Sequence, residues 1–264
     1  DMKLDTARHT FITGGASGIG LAVAKALAMQ GLRVTIADVN AEAIAAVLAE
    51  QGEAFRGVML DVRDRAGWVA AKAEAEAAFG PVDVLFNNAG IGTGGQFADM
   101  PPEEADRLIA INFGGVVNGI YMALPLLRAT PGSAILNTGS ASGFYGVAGL
   151  AIYSATKFAV RGLTEALEIE FSKHGIKVRS LMPGFIDTPL LDQVSADSNA
   201  PARERLSQSG FEIVPVERVA EAAWAAVVRP VAAWRNQHGG RLVAVFGQAA
   251  HVAHGLVQQD GDAL

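Results

Sequence analysis

The chain predicts a doubly wound α/β fold, a mostly parallel sheet of about seven strands with helices on both faces. Three observations lead there. Short, uninterrupted apolar runs alternate with amphipathic helical stretches along the chain, and strands apolar on both sides belong to a sheet buried on both faces. A glycine-rich turn, Thr13-Gly14-Gly15-Ala16-Ser17-Gly18-Ile19-Gly20, separates the first apolar run from the first helical stretch. Half of the 264 residues are hydrophobic, few are aromatic, and alanine and glycine abound; such small side chains let helices pack closely on a sheet.

In chain order, the short apolar runs predict strands over His9–Thr13, Arg33–Ala37, Ala54–Leu60, Val82–Phe86, Ser133–Asn137, Lys177–Leu181 and Arg241–Phe246. Between them, amphipathic periodicity predicts helices over Gly18–Gln30, Ala41–Gln51, Arg65–Phe79, Pro102–Leu127, Ala151–Lys173 and Val216–Val228. Right-handed crossovers fix most of the remaining topology. No composition break marks a second domain, so residues 1–264 are expected to form one unit. The least regular stretch, about 185–214, is rich in Ser, Asp, Asn, Ala and Pro. A long irregular segment in a compact domain is a functional lid or disordered, and its apolar flank of Phe185, Ile186, Leu190 and Leu191 favours a lid. In the tail after Gly247, His251 and His254 could share a helix face, but no carboxylate completes a metal site, and none is expected.

The formal charge of −6, without a Lys/Arg cluster, argues against nucleic acid or an anionic membrane as partner. The absence of cysteine excludes disulfides, a thiol nucleophile and zinc–thiolate sites. No apolar run of about 20 residues suggests a membrane span, and the N-terminus lacks a signal-peptide core. A cytoplasmic location is the resulting expectation.

The chemistry lies in Tyr153, Lys157, Ser140 and Asn112. Tyr153 and Lys157 are four apart in a predicted helix and share a face. A free phenol titrates near ~10; a neighbouring ammonium favours the phenolate and brings a proton-transfer group toward neutrality. Gly14, Gly18 and Gly20, with Ser17 and Ile19 between, let the backbone approach a pyrophosphate at a helix N-terminus. Asp38 stands 18 residues beyond Gly20 at the end of the second strand. A carboxylate there accepts from ribose hydroxyls and repels a 2′-phosphate, so NAD is expected over NADP. Asp61, followed by Val62, either meets an adenine amino group or caps the next helix. Asn87-Asn88-Ala89-Gly90 ends the fourth strand, where small residues and amides suit a cofactor wall or a sheet-stabilising turn. Asn112 lies mid-helix, where asparagine is a weak former; it accommodates a kink or holds a water. Ser140 competes with Ser142 for a role at the end of the fifth strand. The segment 139–143 does not match Gly-x-Ser-x-Gly in register, which discounts a serine hydrolase.

Together, Thr13-Gly14-x-x-x-Gly18-x-Gly20, Asn87-Asn88-Ala89-Gly90, Asn112, Ser140, Tyr153-x-x-x-Lys157 and Pro183-Gly184 resemble the short-chain dehydrogenase/reductase family in its single-domain, Rossmann-type form, from about Thr6 to Pro189. The resemblance implies that Tyr153 is the acid/base, that Lys157 lowers its pKa and binds the nicotinamide ribose, and that Ser140 orients the substrate oxygen. Asn112 would hold a water in a proton relay. Asp38 would grip the adenosine ribose, Asp61 and Val62 would line the adenine pocket, and Asn88, Ala89 and Gly90 would lie along the cofactor. Pro183, Gly184, Ile186 and Thr188 would contact its nicotinamide side. It also implies a homo-dimer or homo-tetramer. The terminal stretch Arg241–Gly247 departs from the Asp-Gly-Gly-like ending common in the family.

The expected substrate pocket comprises Ser140, Ile91, Thr93, Phe144, Tyr145, Val147, Phe185, Leu190 and Leu191. It is mostly apolar and suits a hydrophobic secondary alcohol or ketone. Arg203 and Arg205, in the lid, leave room for a phosphorylated substrate. The rival readings are a catalytically silent NAD sensor or scaffold on the same fold and an epimerase or dehydratase, the latter usually carrying a larger C-terminal domain.

Overall fold

The computed structural model describes residues 9–130, 132–192, 201–208, 211–228, 234–235 and 241–245. The strands are β1 (His9–Thr13), β2 (Arg33–Asp38), β3 (Phe55–Met59), β4 (Val84–Asn87), β5 (Ala134–Thr138), β6 (Lys177–Pro183), β7 (Trp234–Arg235) and β8 (Arg241–Val245). The helices are α1 (Gly18–Met29), α2 (Ala41–Gln51), α3 (Arg65–Phe79), α4 (Pro102–Ile109), α5 (Gly115–Ala129), α6 (Ala151–Ser172), α7 (Ala202–Gln208) and α8 (Val216–Val228).

All strands join one sheet in the order β3-β2-β1-β4-β5-β6-β8-β7. Seven run parallel. The eighth, β7, is a two-residue antiparallel edge on β8 that apolar patterning could not reveal. Strand order reverses between β1 and β4, so their crossovers leave in opposite directions. A crevice therefore opens beyond the carboxyl ends of these strands, the ligand position of open α/β sheets.

Two apolar layers hold the helices on. On one face α1 (Val23, Ala24, Leu27) and α8 (Val219, Ala220, Ala223) pack over Ile12, Ile36 and Leu136. On the other, α3 (Trp68, Ala71), α5 (Val116, Ile120, Leu127) and α6 (Val160, Phe171) pack over Phe11, Leu85, Ile135 and Val178. Adjacent strand residues such as Phe11 and Ile12 supply opposite layers, which is why the strands read as continuous apolar runs.

Three sequence expectations change. The single long helix from Pro102 is broken by one π-helical turn, Ala110–Gly114, in which the Gly115 N–H donates to the Ala110 carbonyl, five residues back. This turn carries Asn112. The helical rod Pro102–Ala129, with mean hydropathy 1.5 over its most apolar window, is also long and apolar enough to cross a membrane, contrary to the sequence expectation. Here Leu108, Val116, Ile120, Ala123 and Leu127 are buried in the protein interior, a use that requires the same composition. Finally, α3 is capped by Asp64, whose carboxylate accepts from the Ala66 N–H at 2.9 Å, not by Asp61. Residues beyond 245, with His251 and His254, lie outside the described residues.

At the amino end of the central strand β1, opposite the crevice, His9 is fully buried. Its Nδ1 contacts the Gly80 carbonyl at 2.9 Å and its Nε2 the Thr35 hydroxyl at 2.8 Å. Since a carbonyl only accepts, Nδ1 carries the proton and Nε2 accepts from Thr35. Burial lowers the His9 pKa below its ordinary 6.5, outweighing the Gly80 carbonyl and Asp83. The unfolded chain then binds more protons in weak acid, so this contribution is full above pH 6.5 and is lost as pH falls toward the lowered folded value. Thermal melts should show stability declining below that pH, with a shallower decline in His9→Gln.

Candidate active site

At the carboxyl end of β1, Gly14 has φ +61°, in the left-handed region, and the chain folds back so that a Cβ on Gly20 would lie 2.1 Å from the Gly14 carbonyl oxygen. Only glycine permits that approach. Ser17 is the α1 N-cap but makes no side-chain capping bond, so the first N–H groups of this 12-residue helix point out over the turn with the positive end of the helix dipole. The Asp38 carboxylate reaches the same turn, accepting from the Ala16 N–H at 3.2 Å and the Asn40 N–H at 3.2 Å. Gly18, Ile19 and Gly20 thus open the helix beside an acidic residue, as the cofactor reading requires.

From the turn a chain of hydrogen bonds crosses three strand ends. Thr13 Oγ1 accepts from the Asn88 and Ala89 N–H groups at 2.9 and 3.0 Å. Asn88 Nδ2 donates to the Thr13 and Gly14 carbonyls, and Asn88 Oδ1 accepts from Thr138 Oγ1 at 3.1 Å. The Thr138 carbonyl accepts from Lys157 Nζ at 2.9 Å. Asn88 therefore spends its whole side chain on the protein; of the two readings for Asn87-Asn88-Ala89-Gly90, the sheet-stabilising one describes its amide. Gly90 supplies the open surface: a Cβ there would stand 3.8 Å from Lys157 Nζ and 3.3 Å from Asn112 Oδ1.

Ser140 and Tyr153 meet beside Lys157. The Ser140 hydroxyl accepts from the Ser142 N–H at 3.2 Å and hydrogen-bonds the Tyr153 phenol. Of the two serines, Ser140 is the one against the phenol, and Ser142 contributes its backbone to hold it. Lys157 is buried, and burial lowers its pKa to about 8, which still leaves the ammonium dominant at neutral pH. The phenol behaves otherwise than the sequence suggests. Burial raises its pKa, the Ser140 hydrogen bond pulling the other way. Lys157 Nζ lies 5.6 Å from the Tyr153 ring centroid and directs a hydrogen bond at Thr138, so its charge does not offset the desolvation.

Asn112 is buried on the π-turn, and its amide is fully engaged. Oδ1 accepts from the Ile91 N–H, Nδ2 donates to the Ile91 carbonyl, both at 2.9 Å, and Nδ2 reaches Thr156 Oγ1 at 3.5 Å. The side chain anchors the loop after β4.

Other expected residues divide. Thr188 is buried, with its Cβ 3.5 Å from where a Gly18 Cβ would lie, bringing the end of β6 against the start of α1. Pro183 and Gly184 stand at that strand end. The Ile186 and Val62 side chains pack in the two cores, Ile186 bridged to Val214 and Val62 pressed on Gly115 of α5. Asp61 pairs with Arg63 at 2.5 Å, which lowers its pKa and leaves it partly exposed at the end of β3.

At the mouth, Leu190 packs within 3.4 Å of a Gly92 Cβ position, and the Gly95 N–H donates to the Gly149 carbonyl at 2.9 Å, so three loops meet. Ile91 and Thr93 belong to the first loop, Tyr145 and Val147 to the second, and Leu190 and Leu191 to the third. Phe185 lies edge-on to Phe211. The Phe144 ring lies beneath the Arg161 guanidinium at 4.8 Å, two turns along α6 from Tyr153. Arg203 is held by Asp187 and Asp192, which removes it as a free phosphate-binding group; the Arg205 side chain lies outside the described residues. Thr13 and Thr138 were missed as residues that build the site; their position at a strand's carboxyl end was the available signal.

Residues 8–199 match the short chain dehydrogenase family. The chain belongs to this family. Among relatives, it is 39% identical over 186 residues to a 3-alpha-(or 20-beta)-hydroxysteroid dehydrogenase of Mycobacterium tuberculosis, covering 70% of this chain and 72% of that protein. It is 40% identical over 190 residues to a 2,5-dichloro-2,5-cyclohexadiene-1,4-diol dehydrogenase of Sphingobium indicum, covering 70% and 76%. It is 37% identical over 226 residues to a sorbitol dehydrogenase of Cereibacter sphaeroides, covering 84% and 88%. An actinorhodin polyketide ketoreductase crystallised with NADPH superposes with a TM-score of 0.81 at 31% identity, covering 91% of this chain and 96% of that one. This short chain dehydrogenase is accordingly an oxidoreductase of CH–OH or ketone groups that uses a nicotinamide cofactor. The glycine turn, the uncapped α1 N-terminus and the open surface over Gly90 fit such a cofactor.

If the cofactor lies across Gly90, Gly90→Ala should weaken its binding roughly tenfold while the thermal midpoint moves by less than about 4 °C. Calorimetric titration and a thermal melt measure the two.

Proposed function

We propose that this chain is an NAD-dependent dehydrogenase of hydrophobic secondary alcohols, or reductase of the matching ketones, with Tyr153 as acid/base. The observation that carries the reading is the grouping of Ser140, Tyr153 and Lys157 at the end of β5, tied through Thr138 and Asn88 to the glycine turn. Ser140 binds the substrate oxygen and sets its distance from the phenol. Tyr153 removes the hydroxyl proton during oxidation and returns it during reduction. Bound in its oxidised form, the cofactor supplies the hydride acceptor and a positive ring charge that favours the phenolate. Lys157 holds the ribose side through its ammonium, and the α1 N-terminus takes the pyrophosphate.

Asp38 argues for NAD: its carboxylate already faces the turn and opposes a 2′-phosphate. NADPH in the ketoreductase structure belongs to that protein. The relatives that act on a hydroxysteroid and a cyclohexadienediol support an alicyclic substrate. The partly exposed apolar mouth of Phe185, Leu190 and Phe211 supports the same. The described stretch 185–192, whose Leu190 meets Gly92, serves as the lid side of that mouth. Exposed Tyr121 on α5, and Phe158 and Ile169 on α6, supply an apolar face for a second copy of the chain.

NADH absorbance with NAD and a panel of alicyclic secondary alcohols tests the activity. Tyr153→Phe should lower kcat by about 10²–10⁴ and leave NAD affinity within about twofold; substantial retained turnover would remove the acid/base assignment. Asp38→Ala should lower the NAD-over-NADP ratio of kcat/KM by about tenfold or more, whereas an unchanged ratio would place the ribose contact elsewhere.

A further inference from the structure

Arg203 makes an uncommon set of contacts for a side chain on a short surface helix. Its Nη1 donates to Asp187 Oδ1 at 2.6 Å, its Nε to Asp192 Oδ1 at 2.7 Å and its Nη2 to the Thr188 carbonyl at 3.1 Å. Every nitrogen of the guanidinium is thus engaged. The three acceptors lie at the start, the second residue and the end of a single six-residue stretch, 187–192.

That stretch touches both halves of the site. Thr188 stands against Gly18 at the start of α1, where the cofactor's pyrophosphate is placed, and Leu190 stands against Gly92 at the substrate mouth. Single exposed ion pairs contribute little. A planar fork holding two carboxylates and a carbonyl is different, because it fixes direction as well as distance. Without Arg203, Asp187 and Asp192 would be two uncompensated negative charges beside the intended diphosphate, and the turn bearing Thr188 and Leu190 would lose its tie to α7.

We infer that Arg203 is a positioning residue that latches the 187–192 turn over the nicotinamide cofactor and sets its affinity. The inference rests on the cofactor placement proposed above. Arg203 touches neither cofactor nor reacting atoms; it acts through Thr188 and Leu190. The latch is electrostatic and partly exposed, so salt weakens it.

The test compares wild type, Arg203→Gln and Arg203→Lys, with NAD as the calorimetric probe and the alicyclic alcohol turned over best by the wild type as substrate. Arg203→Gln should raise the NAD Kd about tenfold and raise KM for the alcohol, with kcat within about twofold of wild type. Lysine, a point charge without the fork, should fall between the two. Raising NaCl from about 0.05 to about 0.5 M should weaken NAD binding more in wild type than in Arg203→Gln. An Arg203→Gln variant that binds NAD like wild type overturns the latch. So does a loss of kcat and thermal midpoint together at unchanged Kd, which is the behaviour of a residue serving the fold alone. Failure of the underlying cofactor reading looks different: the wild type itself would not bind NAD.

Discussion

The site depends on one line of hydrogen bonds, Thr13 to Asn88 to Thr138 to Lys157, running across the carboxyl ends of β1, β4 and β5. Each bond is worth only about 1 kcal/mol net, but every member is constrained from more than one side. Asn88 uses its amide nitrogen on the Thr13 and Gly14 carbonyls, its amide oxygen on Thr138 and its backbone N–H on Thr13. The glycine turn, the wall after β4 and the buried ammonium are therefore positioned as a unit. A displacement of the turn would be felt at Lys157, four residues from the phenol.

Burial of that ammonium carries a cost. Removing a charge from water is unfavourable, and the lowered Lys157 pKa records it. The raised Tyr153 pKa records the same desolvation acting on a group whose charged form is negative. The two groups are pushed in opposite directions by one cause, which moves their pKa values apart and favours the neutral phenol beside the buried amine.

Deeper in the sheet the same polar economy serves the fold. Asn87 and Asn137 are register partners on β4 and β5, and Asn87 Nδ2 donates to Asn137 Oδ1 at 2.9 Å. Asn137 Nδ2 continues to Thr164 on α6 at 2.9 Å. This thread ties the helix bearing Tyr153 and Lys157 to the central strands. Replacing either asparagine by an apolar residue would strand the other's polar atoms in the core.

Periodicity alone was enough to place the sheet, the six major helical stretches and the Tyr153–Lys157 pair, because these follow from local spacing: alternating apolar runs, and four residues on one helix face. The glycine turn and Asp38 were legible for the same reason, since strand, turn and helix are contiguous in the chain. What the sequence could not show was which partner each polar group would choose. Asn112 sits on a π-turn with its amide spent on Ile91, Phe144 lies beneath Arg161, Ile186 and Val62 turn into the cores, and Asp64 rather than Asp61 caps α3. Those outcomes were decided by residues distant in sequence but adjacent in space, where several acceptors competed for each donor. The pKa directions belong there too: spacing brought a lysine near a tyrosine, but the tertiary structure set the depth of burial, and desolvation then outweighed the neighbouring charge.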